Sequence, residues 1–418
     1  MQRYDTYKDS GVKWLGKIPS HWEMLPGLAI FKENKEKNSN LAVNTVLSLS
    51  YGKIVVKKDI DEGLVPAEYN TYQIVHPGYI IIRCTDLQND KVSLRTGLVK
   101  DDGIITGAYL GLVTNGKYNS SFMHYFLHAW DITKEIYRHG NGLRQSLSWL
   151  DLRRLPILIP PLSEQTAIAN YLDTATAKID AAIAQQQKMI DLLNERKQII
   201  INRAVTKGLN PNAKMKDSGV EWIGEVPEHW EVRKVKYILR ETNIRSVDGH
   251  EESYSLSKTK GLIPFKEKEN LTQARINNIG AKIVKPGEIV FNRFKARLFA
   301  VSTVEAAVSP DYAIYQKIID CNLQFLVFLF GTQMYHDEFD KIAQGIGDGF
   351  SRLYSNDLFS INAILPRKHE QDEIVDYIYQ RTLSIDNAIS NCDRQISLLQ
   401  ERKQIIINEV VTGKVKVI

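Results

Sequence analysis

Apolar residues recur along this chain in two alternating rhythms. Between residues 163 and 207 they fall three and four apart, at Ile168, Leu172, Ala175, Ile179, Ala182, Met189, Leu193 and Ile200. That spacing lays a stripe along one face of an α-helix, and it persists for over four heptads, interrupted by Gln186 and Arg196. The rhythm returns near the C-terminus through Ile374, Ile378, Ile385, Ala388, Cys392, Leu399 and Ile406. Ser163, followed by acidic Glu164, reads as the N-cap of the first helix, and Gly208 as its C′ stop. The second helix is expected to begin near residues 369–371. A rod from Ser163 to Lys207 would be roughly 65 Å long at about 1.5 Å per residue. No compact core of this size needs such a rod, so each stripe predicts a partner helix.

The other rhythm is short, β-branched and broken by Gly, Pro and Asn. Residues 44–56, 72–83 and 103–116 read as strands, and residues 120–140 as an amphipathic helix packed on them. The same grammar follows the first long helix with different words. Residues 254–265, 281–303 and 311–319 read as strands, and residues 322–343 as the packing helix. The prediction is a mixed α/β fold.

The order therefore repeats once. KDSGVKWLGKIPSHWE (8–23) returns as KDSGVEWIGEVPEHWE (216–231) with 11 of 16 positions matching, and LLNERKQIIIN (192–202) returns as LLQERKQIIIN (398–408). A period of about half the chain means two-fold duplication, not a solenoid. Trp14 and Trp222, and the pairs His21-Trp22 and His229-Trp230, are expected to pack and seat each leading segment. Likeness between the halves lies in these segments and the helices; difference concentrates in the β-rich parts.

Composition narrows the class. The chain has 418 residues, 43% hydrophobic and 25% charged, in the range of an ordinary globular protein. No apolar run approaches the roughly 18 residues that span a bilayer. The opening MQRYDTYKDSG lacks the apolar stretch of a secretory signal. Cys84, Cys321 and Cys392 lie far apart and form no zinc spacing, which points to a reducing, cytoplasmic setting. The net charge of +5 is mild, but residues 232–309 carry 15 Lys/Arg against 8 Asp/Glu. Such a local surplus favours a polyanionic partner.

In these motifs the chain resembles the specificity subunit of type I restriction–modification systems, over essentially its whole length. The resemblance rests on the doubled KDSGVxWxGxxPxHWE, on LPILIPPLSEQTAIANYLD and LPRKHEQDEIVDYI after each divergent region, and on the paired LLxERKQIIIN helices. The second copy departs where PPLSEQ becomes PRKHEQ, losing a proline and the Ser cap. The resemblance implies two target recognition domains joined and spaced by two long antiparallel coiled-coil helices, a pseudo-two-fold internal repeat. The expected divisions are a first recognition domain over 1–155, a central helix region over 156–210, a second recognition domain over 211–364 and a C-terminal helix region over 365–418. Each recognition domain would read one half of an asymmetric bipartite site in double-stranded DNA. The helices would dock two methyltransferase subunits, which carry S-adenosylmethionine and the adenine-N6 chemistry, so this chain itself needs no cofactor. Restriction subunits complete the full complex. A related system that cuts on both sides of its site, or a coiled-coil scaffold that binds only proteins, are the alternatives.

Catalytic signatures are not found. There is no Asn/Asp-Pro-Pro-aromatic methyltransferase motif and no GxGxxG turn. GLVTNGKY (111–118) falls short of a phosphate loop because Tyr118 stands where a Ser/Thr must hold magnesium. His124 and His128 are four apart but lack the glutamate of HExxH, and a packing helix explains them without metal. For DNA, the useful donors are Arg, Lys, Asn and Gln near strand ends. In the first half these are Tyr51, Lys53, Arg83, Lys91, Arg95, Arg144 and Gln145. In the second they are Lys258, Lys260, Asn292, Arg293, Lys295, Arg297, Arg352 and Tyr354, with NRFKAR (292–297) the densest cluster. Helix pairing and subunit docking fall to Ile168, Leu172, Ile179, Leu193, Ile200, Ile374, Ile378, Ile385, Leu399 and Ile406.

Overall fold

The computed structural model describes residues 2–57, 69–88, 90, 93–139, 145–257, 260–267, 278–294, 297–347 and 350–417. Two compact units emerge, Met1–Gln187 with Asp393–Ile418, and Lys188–Cys392. Each contains a β-rich body and a stretch of both long helices, Leu162–Lys207 and Lys368–Val411. The mixed α/β expectation is borne out.

In the first unit a four-stranded antiparallel sheet runs in the order Phe31–Glu33, Leu110–Thr114, Ile80–Ile82, Thr96–Leu98. The second unit repeats it as Leu239–Thr242, Tyr312–Lys317, Ile289–Asn292, Phe299–Val301. All the predicted runs but 311–319, which forms the single strand Tyr312–Lys317, resolve into shorter strands at their turn residues. Residues 44–56 fold back as Leu47–Ser50 on Lys53–Val56, with Tyr51 and Gly52 at positive φ in the turn. Pro77-Gly78 separates Gln73–Val75 from Ile80–Ile82 in the same way.

The packing helix Ser120–Ile132 is capped by Asn119, whose side chain accepts from the Phe122 amide at 3.0 Å. Its counterpart breaks after Gly331 into Leu323–Phe330 and Gln333–Ile342, with Asn322 capping the first piece. Among the described residues the second unit also has a bulged hairpin, Gln344–Gly347 on Phe350–Arg352.

The first long helix begins at Leu162, so Ser163 is not its cap. Pro161 precedes the first turn and its carbonyl takes the Gln165 amide at 2.9 Å. The Gln165 side chain folds back to donate to the Pro160 carbonyl at 2.8 Å and accepts the Asn119 amide at 2.9 Å. Gln371 repeats both bonds with Pro366 (2.8 Å) and Asn322 (2.7 Å). One residue earlier, Glu164 accepts from Trp22 Nε1 (3.0 Å) and the Tyr4 hydroxyl (3.1 Å), and pairs with His21 (2.7 Å). Glu370 does the same with Trp230 (3.0 Å) and His229 (2.8 Å). Both carboxylates lie in the first helical turn, where the helix dipole favours negative charge. Trp22 and Trp230 are fully buried, as their packing role requires. The doubled His-Trp and Glu-Gln dipeptides thus form a clasp between leading segment, packing helix and long helix.

Within each unit the two helix segments lie side by side and antiparallel. Asp180 pairs with Lys403 at 2.6 Å in the first unit, and Lys197 with Asp386 at 2.7 Å in the second. These are one interaction at equivalent positions of the repeat. Lysines 403 and 53 hold the Asp180 carboxyl below its usual range against the opposing effect of burial. Ile168, Leu172 and Ile179, and Ile374, Ile378 and Ile385, are buried, four of them in the cores of the β-rich bodies. Leu193, Ile200, Leu399 and Ile406 are half-buried, while Met189 is exposed and the adjacent Ile190 takes the buried place. Gly208 does stop the first helix, at φ 72, and Gly413 stops the second at φ 73. A Cβ on Gly413 would also collide with Pro19 and Trp22.

Candidate nucleic-acid interface

In the second unit the C-terminal end of an inner strand gathers most of the candidates. Strand Ile289–Asn292 runs out into Arg293 and Phe294, and the incoming segment pairs with it: Phe294 bridges to Arg352, and the Arg293 carbonyl accepts the Leu353 amide at 2.9 Å. The Arg352 guanidinium lies over both the Phe294 ring (5.4 Å) and the Tyr354 ring (5.3 Å), with Asp311 at 3.6 Å. Arg293 is held by Glu241 and donates to Ser355 Oγ at 3.0 Å. Glu241 also faces Lys282, whose ammonium donates to the Tyr312 carbonyl at 2.7 Å. Burial, with Arg293 alongside, holds Lys282 below its ordinary pKa. The Asn292 side chain turns back to accept the Phe294 amide at 3.0 Å. The result is an oriented, partly exposed Arg352 against two aromatic rings, a donor fork suited to a planar acceptor such as a base edge or a phosphate, beside an Arg293 whose guanidinium is engaged by Glu241 and Ser355.

The first unit builds the same place from other residues. Strand Ile80–Ile82 continues into Arg83 and Cys84, and the Cys84 carbonyl accepts the Leu147 amide at 3.0 Å. Arg83 is partly exposed and pairs with Asp90 at 3.2 Å. Gln145, at φ 42, donates from its side chain to the Tyr137 (2.8 Å) and His139 (2.9 Å) carbonyls. Its side-chain amide donors are thus spent on internal structure.

Two further candidates need correction. Arg95 is 0% exposed and Arg297 1%, so neither offers a guanidinium to the surface. Arg297 is tied to Asp340 at 2.9 Å, and Arg95 to backbone carbonyls and the Tyr137 hydroxyl. Tyr51 (91% exposed) and Lys53 flank Gly52 at a hairpin tip anchored by the 2.8 Å Lys53–Asp180 pair to the long helix. Lys260 is exposed at the start of strand Gly261–Pro264. Lys91, Arg144, Lys258 and Lys295 lie outside the described residues.

His124 and His128 sit on the packing helix. Burial pushes His124 down to about 4 and His128 down to about 3, so both rings are neutral near pH 7. His128 Nδ1 is 2.9 Å from Thr96 Oγ1. Among the described residues no three His, Cys, Asp or Glu side chains gather as metal ligands, and no helix is long and apolar enough to cross a membrane. The partners Glu241, Asp311 and Asp340 were not legible as site residues; no local spacing announces an acid that pairs across 50 or more positions of chain, as Glu241 does with Arg293.

The fold is that of a chain solved in work on complex assembly and conformational transition of the type I restriction–modification system. The match has a TM-score of 0.63 at 13% identity and covers 95% of this chain and 99% of that one. Two curated proteins of Methanocaldococcus jannaschii share sequence as well. The chain is 26% identical over 286 residues to "Type I restriction enzyme MjaVIII specificity subunit", covering 63% of each. It is 24% identical over 443 residues to "Putative type I restriction enzyme MjaX specificity subunit", covering 98% of each. The match thus spans less than two thirds (63%) of the length of the first relative and nearly all of the second. No protein-family model matches. The resemblance drawn from the repeated motifs is borne out by these relatives.

Proposed function

We propose that this chain is the non-catalytic DNA specificity subunit of a type I restriction–modification system. The observation that carries the reading is a skeleton repeated almost bond for bond beneath two unlike polar faces. Both clasps, both caps and both interhelical ion pairs recur. At the matching strand end, however, one unit carries Arg83 and the other Arg293, Arg352 and two aromatic rings. Equal frames with different faces fit an asymmetric bipartite site in double-stranded DNA, one half-site per unit. Exposed lysines such as Lys53 and Lys260 would contact phosphates and fix register, and the arginines at the strand ends would read bases.

The long helices would set the distance between half-sites and dock two methyltransferase subunits. Leu192 and Ile199, and their repeats Leu398 and Ile405, are exposed apolar side chains on the near-identical segments. An apolar patch present twice suits two copies of one partner. Those partners would supply S-adenosylmethionine and adenine-N6 transfer, and restriction subunits the cleavage, within the cytoplasm.

A gel-shift with the partner methyltransferase present tests the reading. The expected result is salt-sensitive binding that selects one bipartite sequence; failure to select any would overturn it. Charge reversal at Arg293 and Arg352 should abolish selection of one half-site, whereas a protein-only scaffold would leave DNA behaviour unchanged. Inserting one helical turn near Gln186 should alter the tolerated spacer and neither half-site.

A further inference from the structure

We infer that Arg95 and Arg297 are positioning residues that set half-site selectivity from inside the protein, each by fixing the backbone that displays its unit's reading side chains. The inference rests on the DNA-reading role proposed above.

The two arginines occupy matching places. Strand Ile80–Ile82 pairs with Thr96–Leu98, and Ile289–Asn292 with Phe299–Val301; each arginine lies on the return leg of that connection, just before the second strand. Both are essentially fully buried. Arg95 spends its guanidinium on the outgoing leg. It donates to the carbonyls of Arg83 (3.2 Å), Thr85 (2.8 Å), Asp86 (3.1 Å) and Asp90, while Nε donates to the Tyr137 hydroxyl at 3.1 Å. The Tyr137 ring lies 5.3 Å beneath it. The bonds from this buried cation to the connection are made to main-chain oxygens, not to a carboxylate.

Burying a guanidinium is costly, and an apolar side chain of similar volume would fill the space at least as well. What arginine adds is five donors in a fixed fork. Here they hold an irregular stretch that belongs to no strand or helix and includes Asp86 at φ 59. Among its described residues this stretch exposes Thr85 and Gln88 and leaves the paired Arg83 and Asp90 partly exposed.

Arg297 does the same work with other partners. It donates to the Arg293 carbonyl (3.4 Å), to Ser351 Oγ (3.2 Å) and twice to Asp340 Oδ1 (3.0 and 2.9 Å). It thereby binds the base of the Arg293–Phe294 turn to the segment that carries Arg352. Arg297 itself sits at φ 42, a conformation that an L residue keeps only when its surroundings enforce it. A fixed base under a variable display is what two recognition faces on one frame require.

The test is selection from randomised duplexes at one salt concentration. It uses the full chain with its methyltransferase partner, as wild type, Arg95→Met, Arg95→Lys and Arg297→Met, with thermal unfolding followed in parallel. Arg95→Met should flatten the first half-site by about ten-fold or more, leave the second intact, and keep the salt dependence of non-specific binding. Arg95→Lys should restore part of the loss, and Arg297→Met should mirror the effect on the second half-site. Unchanged selectivity in Arg95→Met, or equal weakening on every sequence, would overturn the inference. If Arg95→Met does not fold, Arg83→Gln decides, because it alters the displayed side chain and leaves the clamp alone. It should flatten the same half-site, and an intact half-site would overturn the inference. Wild type that selects no sequence would instead refute the DNA-reading role.

Discussion

The two units share their bonds where they join the long helices and differ where the sheet ends. At the helix start Glu164 and Glu370 take the same tryptophan and histidine, and Gln165 and Gln371 the same asparagine amide and proline carbonyl. Some 80 residues from each helix start along the chain, the same strand ends in Arg83 on one side and in Arg293 between Glu241 and Ser355 on the other. On the function proposed above, duplication has kept the parts that would answer to a common partner and released the parts that would answer to DNA sequence. If so, substitutions in the shared frame should act alike in both units, and substitutions at the strand ends should not.

The largest shared effect belongs to the tryptophans. Trp22→Ala and Trp230→Ala each remove a fully buried ring and one donor to a carboxylate, and each should cost about 3–5 kcal/mol in denaturant unfolding. A near-neutral result at either would break the equivalence.

Acid should separate the units instead. The folded pKa values of His124 and His128 lie below the unfolded 6.5, at about 4 and about 3. Their stabilisation is therefore present above pH 6.5 and lost as pH falls below it towards those folded values. Asp131 opposes them: burial raises it to about 6, so its contribution is full below its unfolded value and lost as pH rises through 6. Two histidines outweigh one aspartate, and unfolding of the first unit from pH 7 to 4 should lose on the order of a few kcal/mol. His124→Gln with His128→Gln should flatten that slope; an unchanged slope would contradict the assignment.

Smaller effects sharpen the frame. Glu164→Ala leaves Tyr4, Trp22 and His21 without their acceptor, and Glu370→Ala leaves only Trp230 and His229. Losses of about 1–3 kcal/mol are expected, greater at Glu164, by thermal or denaturant unfolding. Smallest of all, a double-mutant cycle on Lys197 and Asp386 should return less than about 1 kcal/mol of coupling, as exposed pairs do.

Most of the frame could be read from the sequence because its signals are local. Strand ends fell at Pro77-Gly78 and at Tyr51-Gly52, and helices kept their 3–4 spacing. The stripe missed its phase at Met189, since a helix of about 3.6 residues per turn drifts against a seven-residue repeat, and Ile190 came round to the buried side. Ser163 looked like a cap, yet the Gln165 side chain closes over Pro160 and starts the helix earlier. Arg95 and Arg297 show the deeper limit. Nothing within a few residues of either marks it as buried, because the partners that make burial tolerable are carbonyls and an aspartate brought in by the fold.

The central claim is that one repeated frame carries two different readings of DNA. Methylome sequencing of cells with and without this chain tests it most directly. The account predicts adenine methylation at a site made of two unlike half-sites with a fixed gap, disappearing when the chain is absent. A palindromic site, or methylation indifferent to the chain, would contradict it.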